Sequence, residues 1–299
     1  FPTFRHVLST MAGGHAPKEA LIFNGNFWGF FGAQAALLTP LFFALLLWAL
    51  WYSISSFNKI PRSARLAAVL TVVILGSYQT VSLFMKIQGN WAVFAYPGAI
   101  ALLGWFLSDV KKSRLLFSLG ALVALLESLF ILLLPYQQTD PEALVKLPFK
   151  LNRFRECMGW DALGPLLTAE GYLPGHDFLI ADSYQNASLL SFYAPEQKRA
   201  FFFNIRGRRQ NQFSYWPQLR EENRGKSGYF VTTEELPKSA EELALQKKET
   251  LDGLAKHFKL VLFLKSEPFY CTYGEPAKLL MIFRVEDYQG TEPEETFLY

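Results

Sequence analysis

The sequence predicts a membrane α-helical region of about four transmembrane helices, followed by an extracytoplasmic, Rossmann-like α/β domain. Three observations lead to this fold class: a split in charge, a set of long apolar segments and a later alternation of strands and helices. Residues 1–139 carry nine basic and three acidic side chains, whereas residues 140–299 carry 20 basic and 23 acidic ones. With 12 charged residues in 139, the first part lies far below the roughly 25% that is typical of soluble domains, whereas the second part does not. A single soluble domain, a disordered chain and a disulfide-rich miniprotein are therefore excluded.

Four apolar segments are long enough to cross the hydrocarbon core, which takes about 20 helical residues. They are residues 37–57, 66–85, 87–108 and 115–134, in a membrane region over 37–135. Pro40 falls in the first turn of its helix, where the missing N–H costs little. Pro97 lies inside the third segment, and we expect it to kink that helix.

The short loops between these segments predict the orientation. Loops 58–65 and 109–114 each contain three Lys or Arg residues, while the turn between the second and third segments contains only Lys86. Cytoplasmic loops are enriched in Lys and Arg. We therefore expect an inner (cytoplasmic) membrane protein whose residues 140–299 lie outside the cytoplasm.

Residues 1–36 are expected to form an outward-facing loop or interfacial segment. Within it, residues 21–36 are rich in aromatic residues and glycine. Aromatic rings favour the headgroup level, which suggests a segment lying along the outer membrane face. An early start of the first transmembrane helix is the alternative.

Residues 140–299 alternate between predicted helices and strands. Helices are expected over 152–169, 184–193 and 251–257, and strands over 177–181, 199–203, 228–232, 259–264 and 278–285. This alternation favours a mostly parallel sheet. The charge-rich segment 234–248 reads as a solvated loop or helix face.

Several classes of site are not supported by the sequence. The turn after the first strand reads DSYQNAS and lacks a glycine-rich phosphate loop. His15 and His176 have no partners at metal-ligand spacing. The positive charge lies in the apolar half, where topology explains it better than nucleic-acid binding does. Cys157 and Cys271 could form one disulfide or remain two free thiols.

Three stretches carry a resemblance to a known family. They are FPTFRH followed by FWGFFGAQAALLTPLF, then KIQGNWAVFAYPG, and then DSYQNASLLSFYAPEQ followed by RGRRQNQFSYW. Together they resemble bacterial membrane glycosyltransferases related to protein O-mannosyltransferases and aminoarabinose transferases, in the GT-C superfamily. The resemblance implies an enzyme that moves a sugar from a polyprenyl-phosphate donor to a protein, lipid or glycan acceptor on the outer face. It also implies further N-terminal membrane helices.

The general base of such enzymes has no good counterpart in the apolar half. Glu19 has no acidic partner, Asp109 is predicted to be cytoplasmic, and Glu127 lies mid-span, whereas a base must reach the acceptor proton within hydrogen-bond distance. We therefore expect the base, and any divalent metal, to belong to a membrane region upstream of Phe1. For Glu127 itself, two interpretations are open: a functional intramembrane carboxylate, or a protonated side chain bonded within the helix bundle.

The donor phosphate is expected to bind near the second and third helices. Lys86 is the main candidate, because a phosphate-linked lipid needs a cation at the interface; Arg5 and His6 are further phosphate-binding candidates. The cleft would be lined by Asn90, Trp91 and Tyr96. The structural alternative for Lys86 is a lysine that snorkels to the interface.

Recognition by the outer domain is expected from polar and aromatic residues near strand ends. The cluster around Arg206 combines planar hydrogen-bond donors with an aromatic ring that can stack on a ligand. This combination suits the binding of a sugar or a phosphate. Its candidates are Tyr184, Gln185, Arg208, Arg209, Gln212 and Trp216. A loop that docks the domain on the membrane half is the structural alternative.

Two other functions compete with the glycosyltransferase hypothesis. The first is a non-enzymatic binding or sensor domain on a four-helix anchor. The second is a transporter fragment, which would show broken helices and polar residues at mid-membrane; only Gln79 and Glu127 qualify.

Overall fold

The computed structural model describes residues 25–109, 113–208 and 210–295. The chain forms two compact units, which meet within one long helix. Residues up to Leu132 form the helical unit, and residues from Leu133 onward form the α/β unit. Arg5, His6, Glu19 and Arg209 lie outside the described residues.

Among the described residues, the helical unit begins with a bent pair of helices. Helix α1 (Phe27–Leu37) and helix α2 (Pro40–Ser55) meet at 107°. Thr39 joins them with a φ of +66°, which is unfavourable for a β-branched residue. Pro40 is the first residue of α2, as predicted. Residues 27–37 are thus a separate helix, and the next helix begins beyond the bend.

Three further helices are long and apolar enough to cross a membrane. They are α3 (Arg62–Val81), the run Gly89–Ser108, and α5 (Ser113–Thr139). Counting the bent pair as one span gives four, in agreement with the predicted number. Gly89–Ser108 consists of a 3-10 helix (Gly89–Ala95) followed by α4 (Tyr96–Asp109).

The expected kink at Pro97 is wrong. Pro97 is the second residue of α4, in a first turn where a missing N–H breaks no helical hydrogen bond. The irregular stretch precedes it, in the tighter 3-10 helix Gly89–Ala95.

Small side chains let the helices of this unit approach one another. Ala49 and Ala99 are completely buried, together with Leu46 and Leu102. Residues of this size allow close backbone packing between membrane helices. The packing holds α2, α3 and α4 together.

The α/β unit opens with irregular chain where a helix was predicted over 152–169. Only Leu163–Ala169 is α-helical (α6), and short 3-10 turns precede it. Gly159 causes the break: its φ is +87°, and a Cβ there would lie 2.4 Å from the carbonyl oxygen of Phe269. The predicted helix is wrong because this glycine packs directly on a neighbouring strand.

Five strands and two helices form the rest of the unit. The strands are β1 (Phe178–Ala181), β2 (Ala200–Phe202), β3 (Gly228–Glu235), β4 (Phe258–Thr272) and β5 (Glu275–Tyr288). Helix α7 (Tyr184–Tyr193) connects β1 to β2, and helix α8 (Ala240–Leu254) connects β3 to β4.

The sheet is mixed, with the order β2-β1-β3-β5-β4. β1 pairs in parallel with β2 and β3, whereas β5 is antiparallel to both β3 and β4. β1, β2, β3 and β4 therefore run in one direction and β5 runs against them, so the sheet is mostly but not entirely parallel. The reason is the hairpin between β4 and β5, which turns through Tyr273 and Gly274, both with positive φ.

Two hydrophobic cores cover the two faces of the sheet. One contains Ala187 and Leu190 of α7 together with Leu179 and Val231 of the strands. The other contains Leu254 at the end of α8. Helices therefore pack on both faces, and the carboxyl ends of β1, β2 and β3 lie at the same edge.

Candidate functional site

A polar crevice lies at the carboxyl ends of the three parallel strands. β1 sits between β2 and β3, so the chain leaves it toward β2 and later returns on its other side at β3. In open α/β sheets, ligands bind where the strand order reverses in this way. The crevice has a volume of about 360 Å³ and is lined by Glu156, Asp182, Ser183, Gln185, Asn186, Leu189, Arg206, Arg208, Thr232, Thr233, Glu234, Glu235, Lys238 and Lys278.

Asp182 follows β1 directly and forms the floor of the crevice. Its side chain is only 1% exposed, and one carboxylate oxygen lies 2.8 Å from Nε of Arg206. The other oxygen accepts a hydrogen bond from the Thr232 hydroxyl at 3.2 Å. A buried carboxylate must be paired to offset its lost hydration, and Arg206 supplies that charge.

Glu234, near the end of β3, is the second buried carboxylate. Nη2 of Arg206 lies 2.9 Å from one of its oxygens, and Nζ of Lys238 lies 2.7 Å from the other. Burial alone would raise the pKa of Glu234, but the hydrogen bonds from Lys238 and Arg206 outweigh it and lower the pKa. Arg206 thus forms an ion pair with each of the two buried carboxylates.

The chain after β2 places the two arginines. Asn204 accepts a hydrogen bond from the Arg208 amide at 2.7 Å and donates one to the Arg208 carbonyl oxygen. This closes a tight turn that contains Gly207, whose φ is +60°. Arg208 lies at the rim: its guanidinium is 3.9 Å from Asp182 and its side chain is 45% exposed.

Lys278 of β5 approaches the crevice from the side of the irregular segment. It is 4% exposed, and its Nζ donates to the carbonyl oxygens of Arg155, Glu156 and Met158 at 3.2, 2.8 and 3.4 Å. Burial lowers the pKa of Lys278 to about 8, against the opposing effect of nearby carboxylates. The ammonium group therefore holds the 155–158 turn against the sheet.

The polar groups of the crevice differ in how far neighbouring side chains engage them. Arg206 lies at ion-pair distance from both buried carboxylates, and Oδ2 of Asp182 makes no hydrogen bond within the described residues. Polar side chains at the rim of the crevice make fewer hydrogen bonds and ion pairs. The Gln185 side chain makes no hydrogen bond within the described residues, and Arg208 makes only a long ion pair.

The structure brings together some of the predicted recognition residues and separates others. Gln185 and Arg208 line the crevice, as expected from their position after strands. Tyr184 is 48% exposed and is absent from the crevice lining. Gln212 and Trp216 also lie elsewhere. Trp216 packs on Phe213, with ring centroids 4.7 Å apart. The Trp216 ring therefore contacts a neighbouring aromatic side chain of the protein.

In the helical unit, Lys86 lies at the tip of the loop between α3 and the 3-10 helix. It is exposed and makes no ion pair or hydrogen bond with any described residue. Its neighbour Ile87 is 1% exposed and packs with Phe30 and Ala92. The loop is therefore anchored by a buried isoleucine, while the lysine beside it faces outward from the unit.

The predicted cleft residues have different environments. Asn90 is exposed, and Trp91 packs against the small core around Ile87. The Tyr96 hydroxyl donates a hydrogen bond to Oε1 of Gln34 at 2.9 Å. Tyr96 thus has a structural contact within the helical unit, and Asn90 is the predicted cleft residue that stays accessible.

Glu127 lies in the wall of an apolar cavity of about 880 Å³ in the helical unit. Its Oε2 is buried without a hydrogen-bond partner among the described residues, as is the hydroxyl of Thr39, which lines the same cavity. The interpretation of Glu127 as a carboxyl bonded within the bundle is therefore wrong for this oxygen.

No group of three or more His, Cys, Asp or Glu side chains suited to hold a metal occurs among the described residues. Cys157 and Cys271 are both exposed free thiols.

Sequence reasoning missed most of the charged groups in the crevice. Asp182, Glu234, Lys238 and Lys278 were not singled out, although Asp182 follows a predicted strand directly. Comparisons with protein-family models, with curated proteins and with solved structures each found no match for this chain.

Proposed function

We propose that this chain contributes donor-lipid binding and ligand recognition to a membrane glycosyltransferase that uses a polyprenyl-phosphate-linked sugar. The observation that carries the proposal is Lys86, an exposed cation with no partner among the described residues, at the end of two apolar helices. A charge-assisted hydrogen bond from such a group suits a lipid phosphate at the membrane surface. The family resemblance of the surrounding KIQGNWAVFAYPG motif points to the same ligand.

The crevice of the α/β unit supports a role in recognition of a polar ligand. Its lining combines amide, hydroxyl, guanidinium and carboxylate groups, which match the hydroxyl groups of a sugar or its charged substituents. In this proposal the chain supplies no general base, and sugar transfer requires an acidic residue from another membrane segment.

Donor binding tests the proposal. The chain is placed in lipid nanodiscs and titrated with labelled polyprenyl monophosphate. Lys86→Met keeps the aliphatic stem and removes the charge, and a charged hydrogen bond is worth roughly 1.5–3 kcal/mol. We therefore predict an affinity loss of about ten- to hundredfold.

Two controls make this measurement specific. Lys59→Met applies the same change to an exposed lysine in the loop before α3 and should leave the affinity unchanged. Polyprenol, which lacks the phosphate, should bind both forms equally. An unchanged affinity in Lys86→Met would mean that Lys86 is only an interfacial anchor.

A membrane-anchored binding domain without enzymatic activity is the second candidate. The observation that favours it is that Arg206 forms an ion pair with each of the two buried crevice carboxylates. This function requires no donor lipid. Ligand binding to the crevice together with no binding of polyprenyl monophosphate would support it over the transferase.

A further inference from the structure

The loop that carries Lys86 is held by hydrogen bonds from Asn26, directly before α1, and from Gln34 within α1, both more than 50 residues earlier in the chain. The carboxamide of Asn26 bonds both backbone groups of Ile87: Nδ2 donates to the carbonyl oxygen at 2.9 Å, and Oδ1 accepts from the amide at 2.8 Å. Because these groups belong to consecutive peptide planes, one side chain fixes the backbone on both sides of Ile87.

A second carboxamide holds the end of the same loop. Nε2 of Gln34 donates to the carbonyl oxygen of Gly89 at 2.9 Å, and its Oε1 accepts from the Tyr96 hydroxyl at 2.9 Å. Gln34 is only 2% exposed, so its position is fixed by packing as well as by bonding. Helix α1 is thereby connected to the loop and to the start of α4.

Two glycines allow this close approach. A Cβ on Gly25 would lie 2.0 Å from the carbonyl oxygen of Ser82, and one on Gly89 would lie 2.6 Å from Cβ of Ala33. The Gly25 amide also donates to the carbonyl oxygen of Leu83 at 3.0 Å. The loop thus lies in backbone contact with Gly25 at one end and packs against the Ala33 side chain of α1 at the other.

We propose that Asn26 and Gln34 are positioning residues that fix the Lys86 loop so that its ammonium group is presented to a lipid phosphate. This inference rests on the proposed function, because it assumes that Lys86 contacts the phosphate. Neither carboxamide needs to contact the ligand. Each acts by restricting the backbone of residues 86–89, which lowers the entropy that Lys86 loses on binding.

The test is a double-mutant cycle in nanodiscs, with labelled polyprenyl monophosphate as the probe. Asn26→Leu and Gln34→Met remove the hydrogen bonds, keep the approximate size and add no charge that would repel phosphate. We expect each to lower the affinity about two- to tenfold, in proportion to the bonds removed. In the Lys86→Met background we expect no further loss, because the positioned group is already absent.

Hydrogen exchange and a matched control separate positioning from general damage. Amides 86–89 should exchange faster in Asn26→Leu and Gln34→Met than in the unsubstituted chain, while the other helices keep their protection. Gln88→Met makes the same substitution in this loop, at an exposed side chain that forms no capping hydrogen bond. It should change neither the affinity for polyprenyl monophosphate nor the exchange rates of amides 86–89.

Two results would overturn the inference: an equal affinity loss with and without Lys86→Met, or faster loop exchange with unchanged affinity. An unchanged affinity in Lys86→Met alone is a separate result, which overturns the phosphate contact itself.

Discussion

Arg206 is the residue on which the charge balance of the crevice depends. It contacts Asp182, whose side chain is 1% exposed, and Glu234, whose side chain is 8% exposed, while its own side chain is 28% exposed. Burial alone would lower the pKa of Arg206, but the two carboxylates outweigh it and raise the pKa. Removing one partner from a buried ionic network leaves the others uncompensated, which is costly.

Replacing Arg206 should therefore destabilise the α/β unit much more than replacing its neighbour. We predict that Arg206→Met lowers the free energy of unfolding by about 3 kcal/mol. Arg208→Met is the matched control, because Arg208 is 45% exposed and lies 3.9 Å from Asp182; its cost should be below about 1 kcal/mol. Urea unfolding at neutral pH measures both, and equal losses would contradict the bridging role.

Lys278 gives the α/β unit a specific pH dependence. Burial lowers its pKa to about 8 in the folded state, against the ordinary lysine value of 10.5. Between these values the unfolded chain binds a proton that the native protein does not. Stability rises with pH wherever the unfolded state binds more protons. The contribution of Lys278 to the free energy of unfolding is therefore lowest below pH 8 and increases toward pH 10.5.

Lys278→Met should remove this increase. We predict that between pH 8 and 10 the stability of the unsubstituted chain rises relative to that of Lys278→Met, by at most about 1.4 kcal/mol per pH unit. Urea unfolding at several pH values measures the two slopes. Lys259→Met, on the same hairpin at a side chain that is 78% exposed, is the matched control. Parallel slopes for the unsubstituted chain and Lys278→Met would contradict the prediction.

The crevice residues that the sequence analysis predicted share a local signal, whereas Lys278, which it missed, depends on strand order. Gln185 and Arg208 follow predicted strands, and both line the crevice. Lys278 reaches it only because β5 lies antiparallel beside β3. That pairing joins residues more than 40 positions apart, and nothing in the local pattern of either segment predicts it.

At the scale of elements, local signals determined which boundaries could be predicted. Helix α7 spans residues 184–193, as predicted, because Ser183 caps its first turn and accepts a hydrogen bond from the Asn186 amide at 3.1 Å. Helix α8 begins eleven residues before the predicted start. Its capping box, formed by Ser239 and Glu242, lies in a charge-rich stretch that has a weak apolar pattern.

The β4–β5 hairpin shows why strand direction was not predicted. Its two-residue turn requires positive φ at Tyr273 and Gly274, with values of 53° and 80°. Such turns are usually signalled by Asn-Gly or Asp-Gly, and Tyr-Gly gives a much weaker signal. β4 also continues past Leu264 through several register shifts, which interrupt the alternation that identifies a strand.

At the scale of the whole molecule, the charge split in the sequence corresponds to two units of different chemistry. The helical unit exposes many large apolar side chains. In α5, only 6% of the most apolar 18-residue stretch is buried. A helix with so much exposed apolar surface is stable in lipid but not in water. The α/β unit has its own cores on both faces of the sheet.

The orientation of these units in the membrane is the remaining large-scale prediction. Loops 58–65 and 109–114 are both basic, so we predict that they lie in the cytoplasm and that the α/β unit lies outside. Ser63→Cys and Ala244→Cys place single thiols at exposed positions, in a background with Cys157→Ser and Cys271→Ser because both native thiols are exposed. An impermeant maleimide added to intact spheroplasts should label Ala244→Cys, and should label Ser63→Cys only after permeabilisation. The reverse pattern would place the α/β unit in the cytoplasm. It would also remove Lys86 from the outer surface, since that loop lies between the two basic loops and one helix away from each.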